Sequence, residues 1–73
     1  MSLRRLPFRE VRRKLLAAGF LEVSQKGSHV KFKRQQEAGT LIAIVPHHKE
    51  IAVGTLRSIL KQVGLTIEEF EEL

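Results

Sequence analysis

The spacing of apolar residues changes several times along this chain, and each change marks an element. Phe8, Val11, Leu15 and Ala18 recur at the helical period behind Pro7, which suits a first helical turn, with Arg9, Arg12, Arg13 and Lys14 filling much of the remaining surface. Gly19 supplies the left-handed residue on which helices commonly end. From Phe20 to Gln25 the residue types become those of a strand, with Leu21 and Val23 on one face, and Lys26-Gly27 form a turn. Ser28 to Arg34 then alternates strictly. Strand side chains point to opposite faces in turn, so Val30 and Phe32 are expected on a core, and His29, Lys31 and Lys33 together on the other side. Gln35 to Gly39 reads as a polar hairpin loop and Thr40 to Val45 as a third strand. The nearly unbroken apolar run of that strand implies burial on both faces or shelter by a partner.

Pro46 is expected to stop the third strand, with His47-His48-Lys49-Glu50 as a polar loop. Gly54-Thr55 then precede a second helix whose Leu56, Ile59, Leu60 and Val63 form one stripe, and Gly64 ends it. Thr66 and Glu69 have capping-box spacing, so a short last helix with Ile67, Phe70 and Leu73 follows. Loops this short cannot carry a parallel crossover, so the three strands form an antiparallel meander. The predicted fold is α+β, in the order α-β-β-β-α plus a short C-terminal helix. Its helices lie on one face of a three-stranded antiparallel sheet, which leaves the other face free for a ligand. Residues 1–73 read as one domain, with no repeat, linker or low-complexity segment.

Composition narrows the chemistry. No cysteine is present, which excludes disulfides, thiolate metal sites and a cysteine nucleophile. The longest apolar run, Leu41 to Val45, is far too short to cross a bilayer, so no membrane partner is expected. Met1 to Arg5 has no apolar segment of the signal-peptide kind, and a cytoplasmic protein is the expectation. The 13 basic and 8 acidic residues are unevenly placed, because Glu68, Glu69, Glu71 and Glu72 crowd the end. Residues 1–65 hold 13 basic and 4 acidic groups, a net of +9. That is the electrostatic footprint of a polyanion binder, set against the plainer reading of a basic surface kept for solubility.

Three groups of residues resemble a known family. Gly27-Ser28-His29-x-x-Phe32, Pro46-x-His48, and Gly54-Thr55-Leu56-Arg57-x-Ile59-Leu60-x-Gln62-x-Gly64-Leu65 are similar, in order and spacing, to the HicA toxins of bacterial and archaeal toxin–antitoxin pairs. The resemblance covers essentially the whole chain. It implies a small, ribosome-independent mRNA interferase with a double-stranded-RNA-binding-domain-like fold, neutralised by a HicB-like antitoxin. It also implies that His29 is the catalytic histidine, that Gly27 and Ser28 place it, and that His48 supports it, with His47 at a variable position. No cofactor and no metal are expected.

The chemistry of such a site can be argued from the residues. RNA carries its own nucleophile, the 2′-hydroxyl, so a ribonuclease needs neither a nucleophilic side chain nor a metal. It needs a base that titrates near neutrality, and imidazole, at about 6.5, is the unperturbed side chain that qualifies. It also needs cations around the phosphate as charge builds on its oxygens. His29 would take the 2′ proton of a single-stranded mRNA, and Lys26, Lys31 or Lys33 would hold the phosphate. Arg34, Lys49 and Arg57 complete the cationic set expected on RNA. His48, a lysine or water could protonate the leaving oxygen.

Plainer readings stand beside these. His29 could be an exposed strand residue capping its turn, His48 a loop residue bracing a helix start, and His47 structural. Phe32 fits a core better than a base-stacking platform. A zinc site from three histidines lacks a fourth ligand, and Ser28 as a nucleophile lacks an acidic orienter. A non-catalytic double-stranded-RNA-binding module would use the same basic face by shape, and a protein-interaction module would mate it with an acidic partner.

Overall fold

The structure is a computed structural model that describes residues 3–73. Met1 and Ser2, part of the stretch read for a signal peptide, lie outside the described residues. The chain runs α1 (Phe8–Ala17), β1 (Leu21–Lys26), β2 (His29–Gln36), β3 (Gly39–Pro46), α2 (Val53–Val63) and α3 (Ile67–Glu71). The strands form one antiparallel sheet in the order β1-β2-β3, which is the expected α-β-β-β-α arrangement.

Alternation along β2 sets the two faces. Val30 and Phe32 are fully buried and meet Ala43 and Val45 of β3 on a core with Phe8, Val11 and Leu15 of α1 and Leu56, Ile59, Leu60 and Val63 of α2. The apolar run of β3 is not buried on both faces: Ala43 and Val45 are buried, whereas Ile42 and Ile44 are each 41% exposed on the open side. Both long helices pack on the other face, so among the described residues no helix covers these two isoleucines. Gln62 of α2 reaches the edge of β3, where its Oε1 accepts the Ile44 N–H at 3.1 Å.

The first turn is shifted by one residue and the second is shorter than expected. Lys26 pairs with His29, so the first connection is Gly27-Ser28 rather than Lys26-Gly27. Gly27 takes φ +59° while Ser28 does not enter the left-handed region, the φ pattern of a type II′ turn, which matches the twist of a hairpin. The second hairpin closes over Glu37 and Ala38 alone, with Gln36 paired to Gly39 and Pro46 included in the strand. Opposite β2, β1 carries one extra residue, and the register slips between Glu22 and Ser24.

Helix ends follow local chemistry with two differences. Pro7 is the extended residue ahead of α1 rather than its first turn, and α2 begins at Val53, so Gly54 and Thr55 lie inside it. Gly64 ends α2 in the left-handed conformation, and Thr66 and Glu69 make both bonds of the capping box, at 3.0 and 2.8 Å.

Lys14 departs from the amphipathic pattern. It is 8% exposed rather than on the surface, and its Nζ donates to the carbonyls of Phe70 at 3.0 Å and Leu73 at 3.2 Å while lying 5.1 Å from the Phe70 ring centroid. The ammonium thus bonds carbonyls at and just beyond the end of α3 and ties that short helix to α1. Lys14→Met keeps the apolar stem and removes the donor. A loss of about 1.5–3 kcal/mol is expected, the range for hydrogen bonds from a charged group. Thermal melts check the size, and faster amide exchange in 67–73 than elsewhere checks the location.

Candidate nucleic-acid interface

The open face of the sheet is built by the cross-strand register. Lys26, His29 and Pro46 stand in one row at its end, Ser24, Lys31 and Ile44 in the next, and Leu21, Lys33 and Ile42 in the third. This brings three lysines and one imidazole to one surface, as alternation requires. His29, Lys26 and Lys33 are exposed and Lys31 is half-buried among its neighbours. None of those rows contains a carboxylate. Glu22, the acid of β1, pairs with Phe32 and turns to the helix side, where it accepts from Arg12 Nε at 2.8 Å.

His29 is the first residue of β2, directly after the Gly27-Ser28 turn. The turn is held from outside the hairpin, because the Ser28 carbonyl accepts the N–H of His47. Pro46, opposite His29, accepts from His48 N–H at 2.9 Å, and the His48 carbonyl accepts the N–H of Phe8 at 3.4 Å. The loop after β3 is thereby fastened to the His29 turn on one side and to the start of α1 on the other. The His47 ring stacks on Phe8, with centroids 4.0 Å apart and planes 26° from parallel. His47 thus has a packing role, and His48 braces a helix through its main chain while its side chain is exposed. The helix it braces is α1, far away in sequence.

The remaining expected contacts divide. Lys49 follows His48 in the same loop. Arg57 is exposed on α2, beside Lys61 across a groove to α3, and is not on the open sheet face. Arg34 pairs with Leu41 and sits two residues from Phe32, so it lies on the helix side, with Nε 3.6 Å from where a Cβ on Gly19 would stand. It does not join Lys31 and Lys33. Arg12 and Arg13, basic residues of α1, are engaged: Arg12 with Glu22, and Arg13 with Glu10 at 2.6 Å. The Arg13 hydrogen bond holds the Glu10 carboxyl below its ordinary range.

One grouping has no local signal. Arg9, a surface residue in the helical pattern, lines a recess with Pro7, Phe8, His47, His48 and Lys49. Helical spacing places Arg9 beside Phe8 but says nothing of the loop that meets this end of α1. Among the described residues no group of three or more His, Cys, Asp or Glu is gathered as metal ligands would be, and no helix is long and apolar enough to cross a membrane.

No curated protein matches the chain as a relative. The family profile described as the HicA toxin of bacterial toxin–antitoxin systems matches residues 8–65, from the start of α1 to just past Gly64. That span contains the whole sheet, both long helices and every residue of the open face. With the fold and the His29 turn in place, the chain belongs to the HicA toxin family.

Proposed function

We propose that this chain is a metal-independent endoribonuclease that cleaves single-stranded mRNA in the cytoplasm, with His29 as general base. The observation that carries the reading is the open sheet face: an exposed imidazole beside three lysines, with no carboxylate to neutralise them. A cationic surface without internal partners has the form that a polyanion requires.

His29 removes the proton of the 2′-hydroxyl as the 2′-oxygen attacks phosphorus. The bond from phosphorus to the 5′-oxygen breaks, and that oxygen takes up a proton from water or a neighbouring acid. The products are a 2′,3′-cyclic phosphate and a 5′-hydroxyl. Lys26, beside His29, and Lys31, one row on, stabilise the charge gathering on the non-bridging oxygens, while Lys33 holds the strand further along. Gly27 and Ser28 fix where His29 stands, since a positive φ and an accepted hydrogen bond define that turn.

The same face is where an antitoxin would have to bind to silence the enzyme. Ile42 and Ile44, exposed on β3 beside Lys33 and Lys31, offer a protein partner apolar contact area that the RNA phosphates do not use.

The test is incubation of the purified chain with a long single-stranded RNA in excess EDTA, followed by analysis of the new ends. Cyclic phosphate and 5′-hydroxyl termini are expected. Cutting that requires added divalent metal, or 5′-phosphate ends, would refute the mechanism. RNA binding without cutting would favour the double-stranded-RNA-binding-module reading.

A further inference from the structure

The geometry points to a second phosphate subsite, outside the sheet face, in the recess between the start of α1 and the loop after β3. Arg9, His48 and Lys49 line it and would hold a phosphate flanking the one that His29 works on. This rests on the ribonuclease reading for its place in the reaction, though not for anion binding as such.

Three observations carry it. First, the recess is positive and uncompensated. Its lining of Pro7, Phe8, Arg9, His47, His48 and Lys49 contains no acid, and the two nearest carboxylates in sequence are already engaged, Glu10 by Arg13 and Glu50 by Arg5 at 3.7 Å. Neither Arg9 nor Lys49 forms an ion pair among the described residues. Arg9, His48 and Lys49 are all exposed, so the grouping costs the fold little and stays open to a ligand. Second, the recess is preorganised. The His47 ring is stacked on Phe8 and the His48 carbonyl takes the Phe8 N–H, which fixes the loop against the helix before any ligand arrives. A rigid site loses less conformational freedom on binding. Third, it is continuous with the His29 end of the sheet, because His47 donates to the carbonyl of Ser28 and Pro46 pairs with His29. Two permanent cations and one imidazole in a small recess suit one tetrahedral anion. A run of carboxylates on an acidic protein would need a longer row. RNA, which repeats its phosphate at every nucleotide, presents such an anion beside the scissile one.

The test uses Arg9→Gln/Lys49→Gln, which keeps polar side chains and removes both charges, with circular dichroism melts to verify folding. Affinity for a fluorescein-labelled single-stranded RNA is measured in the His29→Ala background over a range of salt. We expect affinity to fall about tenfold, the scale of one lost charge-assisted contact. The plot of log affinity against log salt should flatten by about 0.7, the value for one phosphate on a single strand. With His29 intact, the loss of kcat/KM on an oligonucleotide should exceed that on a dinucleotide, which has only the scissile phosphate. Unchanged affinity and slope would overturn the subsite, as would equal losses on both substrates. Unchanged RNA binding with weakened binding of a poly-glutamate peptide would assign the recess to an acidic protein instead. If the double variant shows the expected slope change but the wild type never cuts, the nuclease reading fails and the anion site stands.

Discussion

His29→Ala is expected to lower RNA cleavage by about 10²- to 10⁴-fold, the usual worth of a positioned general base, while leaving RNA binding within a few-fold of wild type. The split follows from where the residue stands. Its ring is one group at the end of a face whose binding charge comes from Lys26, Lys31 and Lys33, and these occupy other rows or strands. Removing the imidazole therefore takes away the proton acceptor and leaves the phosphate contacts. His29 is also exposed, at the start of β2, so truncation opens no cavity and the melting temperature should stay close to that of wild type. Parallel cleavage and anisotropy measurements on one RNA check both halves. If binding and cleavage fall together, His29 is a contact rather than a base. If neither falls, the catalytic assignment is wrong.

Phe32→Ala is expected to destabilise the fold severely, for the opposite reason. Phe32 lies one position after Lys31 and one before Lys33, but its side chain is fully buried and faces Phe8 with ring centroids 6.4 Å apart. Truncating a buried phenylalanine costs about 3–5 kcal/mol, the lost transfer free energy plus the cavity left behind. A domain of this length has about 4–11 kcal/mol in total. The expected fall in melting temperature is more than about 10 °C. A variant that melts normally but loses RNA affinity would make Phe32 a base-stacking platform and invert the two faces of the sheet.

These two residues show how much of the site was legible beforehand. Period-two alternation is a local property, so the separation of His29, Lys31 and Lys33 from Val30 and Phe32 could be read along five consecutive residues. The left-handed glycine after α2 and the Thr66–Glu69 capping box were legible for the same reason, since each is decided within a turn of backbone. Hairpin boundaries were off by one or two positions. The alternation specifies which residues face together but not how tightly the chain closes.

Other features depend on segments far apart in sequence. Lys14 reads as surface in a helical pattern, and it is buried because the end of α3 packs on α1 there, where its ammonium meets the carbonyls of Phe70 and Leu73. Arg34 carries the same charge as the lysines, yet its parity within β2 and its place beside Gly19 put it on the helix side. The stacking of His47 on Phe8 and the recess it creates require residues 7–9 and 47–49 to meet, a contact between the start of α1 and the loop that follows the whole sheet. Backbone periodicity carries the faces of each element, because side-chain direction is set by the few residues around it. Which faces meet, and which charges are left without partners when they do, follows from packing the elements around one core.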